Sequence, residues 1–224
     1  MHKKDAIVIH SGGMDSSLCL ALAIREFTAQ RVLSLSFSYQ QKASNELEQA
    51  DFICREWGVD HALIDVKCLA LLTSNAITDS SIPLNWKEGE EPPSLVMGRN
   101  GLMAHLGGIH AHELGASCIY MGVLEEEAEE IGYRDCSEEY IRLKEKSLQI
   151  DLANPHFEIR TPLIHMRKEQ TLQLAHELGI LDFLWENTIS CYEGMPREGC
   201  QRCPACFLRN RGLARFKGLS TNKN

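Results

Sequence analysis

The chain has 224 residues, enough for one core-forming domain with a small appendage. It is 44% hydrophobic and 24% charged, a globular composition that excludes disordered and fibrous classes. A net charge of −8 argues against a broad nucleic-acid footprint, and no apolar run approaches the ~20 residues that cross a bilayer, so a cytoplasmic location without membrane association is expected.

Ala6-Ile7-Val8-Ile9 is a short apolar run of the kind buried in a parallel sheet. Glycines follow it, and Leu18, Leu20, Ala21 and Leu22 mark a helix from about Ser16. A second strand is expected over 32–37. A helix is expected over 43–57, where Leu47, Ala50, Ile53, Cys54 and Trp57 recur at helical spacing before Gly58. Residues 61–66 give a third strand. Over 67–97, Pro83, Gly89, Pro92 and Pro93 interrupt any long element and predict a surface excursion or lid. Next come a helix over 100–114 stopped by Gly115, a fourth strand over 117–122 and a helix from Ser137 through Leu148. An extended stretch at Thr161-Pro162-Leu163-Ile164 and a helix over 167–178 closed by Gly179 complete the order. This alternation predicts an α/β fold with a doubly wound parallel sheet over 1–185, and a four-cysteine segment over 186–224 packed on the same domain.

Ser11-Gly12-Gly13-Met14-Asp15-Ser16-Ser17 lies between the first strand and the first helix, where open parallel sheets bind ligands. Paired glycines let the backbone approach a phosphate, the serines add donors, and the helix N-terminus adds partial positive charge. The spacing is neither Gly-x-x-x-x-Gly-Lys-Ser/Thr nor Gly-x-Gly-x-x-Gly, which excludes the usual P-loop ATPases and counts against a dinucleotide enzyme. A plain capped turn is the bland alternative. The whole run resembles the signature of the PP-loop ATP pyrophosphatase superfamily. That resemblance implies a loop that holds pyrophosphate while a substrate oxygen attacks the α-phosphorus of ATP, with Asp15 helping to hold Mg²⁺.

Nine cysteines are unusual where reducing conditions disfavour disulfides. Cys191, Cys200, Cys203 and Cys206 crowd into sixteen residues, and Cys-x2-Cys steps reach adjacent positions of one metal. Four thiolates suit a structural Zn²⁺, with an iron–sulfur cluster as competitor. Arg197, Arg202, Arg209, Arg211, Arg215 and Lys217 form a basic stretch nearby, either a solvated helix face or a site for phosphates or a partner.

Together, the loop near residue 11 and the four cysteines near residue 200 resemble the 7-cyano-7-deazaguanine synthase (QueC) family. Met97-Gly98-Arg99-Asn100, Gly132-Tyr133-Arg134-Asp135-Cys136, Thr161-Pro162-Leu163 with Lys168, and Ser190-Cys191-Tyr192 extend the likeness along nearly the whole chain. The resemblance implies that ATP adenylates 7-carboxy-7-deazaguanine, ammonia gives an amide, and a second ATP drives loss of AMP to the nitrile preQ0. It implies that Ser11, Gly12, Gly13, Met14, Asp15, Ser16 and Ser17 hold ATP and Mg²⁺. Arg99 and Lys168 would neutralise phosphate charge, against plainer readings as a surface salt bridge and a solvated lysine. Asp135 would accept from the guanine-like ring, Tyr133 would stack on that ring or belong to the core, and Gln41 would join them at the substrate. It also implies a homodimer, and a tRNA pathway served without direct nucleic-acid binding.

Two stretches depart from the family pattern. Tyr39-Gln40-Gln41-Lys42-Ala43 keeps Gln41 but replaces an arginine by lysine, which lacks the planar fork. Leu124-Glu125-Glu126-Glu127-Ala128-Glu129-Glu130-Ile131 replaces the usual approach to Gly132. These leave open the synthase, a related adenylating ligase using another amine, and a non-catalytic nucleotide-binding module; a PP-loop tRNA-thiolating enzyme would predict a basic tRNA-binding surface that the sequence does not show.

Overall fold

In the computed structural model, which describes residues 3–221, five parallel strands form one sheet in the order β3-β2-β1-β4-β5. The strands are β1 (Ala6–Ile9), β2 (Val32–Ser38), β3 (Asp60–Asp65), β4 (Cys118–Met121) and β5 (Glu158–Arg160). β1 lies in the middle, with Ala6 opposite Val32 on one side and Cys118 on the other. Both faces are covered, so its side chains are apolar in both directions. Ile7 packs with Leu33, Leu35 and Ile119 in one core, while Ala6 and Val8 join Val32 and Cys118 in the other.

The helices are α1 (Met14–Phe27), α2 (Asn45–Trp57), α3 (Cys68–Leu72), α4 (Arg99–Leu114), α5 (Glu125–Glu130), α6 (Glu138–Asp151), α7 (Lys168–Glu177), α8 (Leu181–Asn187) and α9 (Pro204–Thr221). Ala104 and Ala111 of α4, with Ile141 and Leu148 of α6, fill the first core. Leu18 and Leu20 of α1, Leu172 of α7 and Leu184 of α8 fill the second. Gly58 and Gly115 end α2 and α4 in left-handed backbone, as expected. Ser137 caps α6 by accepting from the Tyr140 amide.

Several expectations need correction. Helix α1 starts at Met14, two residues early, because Gly13 is its cap. Residues 162–165 form a turn, and the strand there is the shorter Glu158–Arg160. The 67–97 stretch does run over the surface, with Leu71 84% exposed, but it is anchored: its Ala76 and Leu84 are buried against Cys191, Cys203 and Cys206. Trp86 meets Phe207 edge-on at 5.3 Å. Four of the five C-terminal arginines are taken up within the chain. Arg202 pairs with Glu193, Arg211 with Glu126 and Glu130, and Arg215 with Glu169, while Arg209 is buried. Among the described residues, no helix is long and apolar enough to cross a membrane.

Candidate active site

Where β1 ends, the chain turns through residues 10–13 into α1. Gly12 adopts φ 84°, and a Cβ there would lie 2.0 Å from the Glu46 carbonyl oxygen, so α2 backs directly onto the loop. Gly122, after β4, presses equally close: its Cβ would meet the Ser16 amide nitrogen at 2.6 Å. Inside the loop, the Gly13 carbonyl accepts from the Ser16 and Ser17 hydroxyls at 3.0 and 2.8 Å. From the C-terminal segment, the Ile189 amide donates to the Gly12 carbonyl at 3.1 Å, and the Met14 amide donates to Ser190 Oγ at 3.3 Å. The loop is therefore clamped from α2, β4 and the segment leading into the cysteines.

His10 supports it from below. The Ser17 hydroxyl has one proton and gives it to the Gly13 carbonyl, so at 3.0 Å it accepts from His10 Nε2. Nδ1 must then accept from Ser34 Oγ at 2.9 Å, which selects the neutral Nε2–H tautomer. Burial, with nearby His61, pushes the imidazole pKa down to about 3.

A cavity opens in front of the loop and is lined by Ser11, Gly13, Met14, Asp15, Ser16, Arg99, Tyr133 and Lys168 among the expected residues. Lys168, the first residue of α7, is only 4% exposed and donates Nζ to Asp15 Oδ2. Burial pulls its pKa down, but Asp15 and Glu127 outweigh burial and hold the ammonium above the ordinary lysine value. The second carboxylate oxygen of Asp15, Oδ1, is buried without a hydrogen-bond partner among the described residues. An orphaned buried carboxylate oxygen beside a phosphate loop is chemistry suited to Mg²⁺, which takes oxygen ligands. The solvated-lysine reading of Lys168 does not hold, nor does the surface salt bridge for Arg99. Arg99 is half-buried in the cavity wall, donates to the Tyr39 hydroxyl at 3.1 Å and lies over that ring at 5.7 Å. Burial disfavours its charge, but Tyr39, Tyr192, Asp135 and Tyr133 raise its pKa further.

The remaining expected residues are placed differently. Gly12 is packed behind the loop and Ser17 beneath it. The Asp135 carboxylate accepts from the Asn100 amide in the first turn of α4 at 3.1 Å, where it complements the helix end. Gln41 is occupied by its own loop, accepting from the Tyr39 amide and donating to the Phe37 carbonyl and Glu46. Two cavity carboxylates were not foreseen: Glu46 on α2 and Glu127 on α5, each half-buried and each with its pKa pushed up to about 7 by burial. Glu127 lies within the acidic run and accepts from the Cys136 thiol at 3.4 Å. Its neighbour Glu126 points the other way, binding the Lys168 amide at 2.8 Å and pairing with Arg167 and Arg211. One turn of α5 thus splits the run between the cavity and the α7–α9 contact.

The ligand atoms of Cys191, Cys200, Cys203 and Cys206 all lie within 4.8 Å of one another, with Cys200 and Cys206 sulfurs 3.9 Å apart. A tetrahedron with metal–sulfur bonds of about 2.3 Å has edges of about 3.8 Å, so the four fit one ion. The Cys200 and Glu193 amides donate to Cys191 Sγ at 3.3 and 3.4 Å, and the buried Arg209 guanidinium approaches Cys206 Sγ at 3.9 Å. Such donors offset the negative charge of a tetrathiolate centre.

Comparison with known proteins places the chain in a family. The family described as "Queuosine biosynthesis protein QueC" matches residues 5–217. The 7-cyano-7-deazaguanine synthase of Bacillus subtilis (strain 168) is 39% identical over 216 residues, covering 96% of each chain. Among solved structures, the U34-tRNA thiolase NcsA from Methanococcus maripaludis, with its 4Fe-4S cluster, superposes with TM-score 0.51 at 14% identity, over 99% of this chain and 68% of that one. NMN synthetase from Francisella tularensis gives TM-score 0.51 at 13% identity, over 96% and 87%. At those identities the likeness shows the fold alone, a PP-loop-type parallel sheet. The sequence matches settle more: this chain belongs to the QueC family of queuosine biosynthesis proteins.

Proposed function

We propose that this chain converts 7-carboxy-7-deazaguanine, ammonia and ATP into 7-cyano-7-deazaguanine, releasing AMP and pyrophosphate. The observation that carries this reading is a single cavity in which the glycine–serine loop, Asp15, Lys168 and Arg99 face one another. A carboxylate oxygen of the substrate attacks the α-phosphorus, and pyrophosphate departs onto the loop. Loop N–H groups at the start of α1, with Lys168 and Arg99, take up its charge. Mg²⁺, held by Asp15, would add its positive charge across the phosphate oxygens. Ammonia then attacks the acyl carbon and AMP leaves, giving the amide. The amide oxygen repeats the attack on a second ATP, and loss of AMP with the remaining N–H protons leaves the nitrile.

In this reading the four cysteines hold a structural Zn²⁺ that pins the C-terminal segment from residue 186 onto the 1–185 domain. Their contacts through Ile189 and Ser190 carry that constraint to the loop. The enzyme works in the cytoplasm as a homodimer, without binding tRNA itself. Nucleotide analysis tests the mechanism: two AMP per nitrile are expected, and ADP as the product would contradict it. A second reading is favoured by α5, whose Glu127 forms cavity wall where the family pattern is altered. The adenylated acid would there pass to an amine other than ammonia, and AMP release that depends on that amine but not on ammonium would select it.

A further inference from the structure

Glu46 is a cavity carboxylate with most of its acceptor sites unfilled, behind the phosphate loop on α2. A carboxylate offers about four acceptor sites. Among the described residues, Glu46 receives one hydrogen bond, from Gln41 Nε2 at 3.3 Å. It lies in the first turn of α2, directly behind Gly12, so its backbone is fixed by the loop contact. Arg99 faces the same cavity, yet no ion pair joins the two among the described residues, and the guanidinium engages Tyr39 instead. Phe37, Tyr39, Tyr133 and Tyr192 line the surrounding wall. A half-desolvated acceptor in a cavity with aromatic lining suits a planar heterocycle that brings donors with it.

The candidates for that role are the two rings the reaction must hold. The adenine edge of ATP sets one amino donor beside a ring nitrogen acceptor, whose lone pair repels a carboxylate. The guanine-type edge of the acid sets a ring N–H beside an exocyclic amino group, two parallel donors matching two carboxylate oxygens. Asp135, the other carboxylate considered for this edge, lies outside the cavity lining and accepts from the Asn100 amide. Resting on the function proposed above, we infer that Glu46 is the specificity determinant for the acid, accepting the ring N–H and exocyclic amino N–H of its guanine-type edge.

The test compares Glu46→Gln with wild type, using 7-carboxy-7-deazaguanine and its analogue lacking the exocyclic amino group. Glutamine keeps the shape, but its amide nitrogen opposes one of the two donors. KM for the acid should rise about 100-fold while KM for ATP stays within about 2-fold. Wild type should prefer the acid over the desamino analogue by about 100-fold in kcat/KM, and Glu46→Gln should reduce that preference to a few-fold. An unchanged KM for the acid, or a rise confined to ATP, overturns the inference. So does a wild-type enzyme that accepts both compounds equally, whatever the variant does. AMP formation by wild type with the acid is followed in the same assays. Its absence would fail the parent reading and this inference with it, whereas its presence without discrimination would fail this inference alone.

Discussion

Lys168, the first residue of α7, donates its ammonium to the carboxylate of Asp15 in the first turn of α1, across 153 positions of the chain. The pair joins the helix whose N-terminus follows the phosphate loop to the helix that carries the C-terminal segment. Replacing Asp15 by Asn keeps the shape and leaves Glu127 near Lys168, so the fold should persist. AMP formation should fall about 100-fold or more, because the metal-directed oxygen loses its charge. A quenched-flow or steady-state AMP assay beside a thermal melt checks this; an unchanged rate removes Asp15 from the mechanism.

Removal of one thiolate should act on stability first. In Cys203→Ser the metal site loses a fully buried ligand, and bound zinc measured by elemental analysis should fall well below one per chain. The melting temperature should drop by several degrees before any direct effect on chemistry. Normal metal content with an unchanged melt contradicts the structural-zinc assignment, and iron with acid-labile sulfide in place of zinc selects the cluster.

Much of the fold was legible because its signals are local. Ala6 to Ile9 is apolar on both faces, Gly58 and Gly115 stop their helices, and Ser137 caps α6. β5 was not legible: Glu158-Ile159-Arg160 has one apolar residue, and its strand character comes from pairing with β4. α9 was expected only as one reading of the basic stretch, without bounds, because Gly212 and Gly218 interrupt it. Gly212 is needed there, since its Cβ would lie 2.7 Å from Lys168 Cβ. The loop and cysteine motifs announced themselves through spacing, whereas Glu46 looked like an ordinary acid of its helix and Glu127 was one of five glutamates in the altered run. Only their placement against Gly12 and Cys136 makes them cavity groups. Asp135 and Gln41 show the converse, residues with a motif's identity whose side chains serve the backbone.

His10 predicts a pH effect of definite sign. Its folded pKa of about 3 lies below the ordinary histidine value of 6.5, so unfolding takes up a proton at any pH between them. Its contribution is fully present above about pH 6.5 and is lost as pH falls toward 3, by at most about 1.4 kcal/mol per pH unit. His10→Leu removes this titration along with the bonds to Ser17 and Ser34. The stability gap between wild type and His10→Leu, from urea titrations, should therefore shrink as pH is lowered from 7 to 4. A gap independent of pH would show that His10 is not the buried neutral group described.

Glu126 holds α5 to the α7–α9 pair through two guanidiniums and the Lys168 amide. Its side chain is 2% exposed, and Glu126→Ala leaves the buried Lys168 amide without that partner while Arg167 and Arg211 keep Glu130, so it should cost about 1–3 kcal/mol. Glu129→Ala, on the exposed side of the same helix, should cost under about 0.5 kcal/mol. Equal melting temperatures for the two variants would contradict this division of the acidic run.

The most direct test of the whole account is mass spectrometry of products from purified protein, 7-carboxy-7-deazaguanine, ATP, Mg²⁺ and isotopically labelled ammonium. The account predicts the nitrile preQ0 carrying one labelled nitrogen, with an amide passing through on the way. No labelled product, or AMP release that ends in an adduct with a different amine, would contradict it.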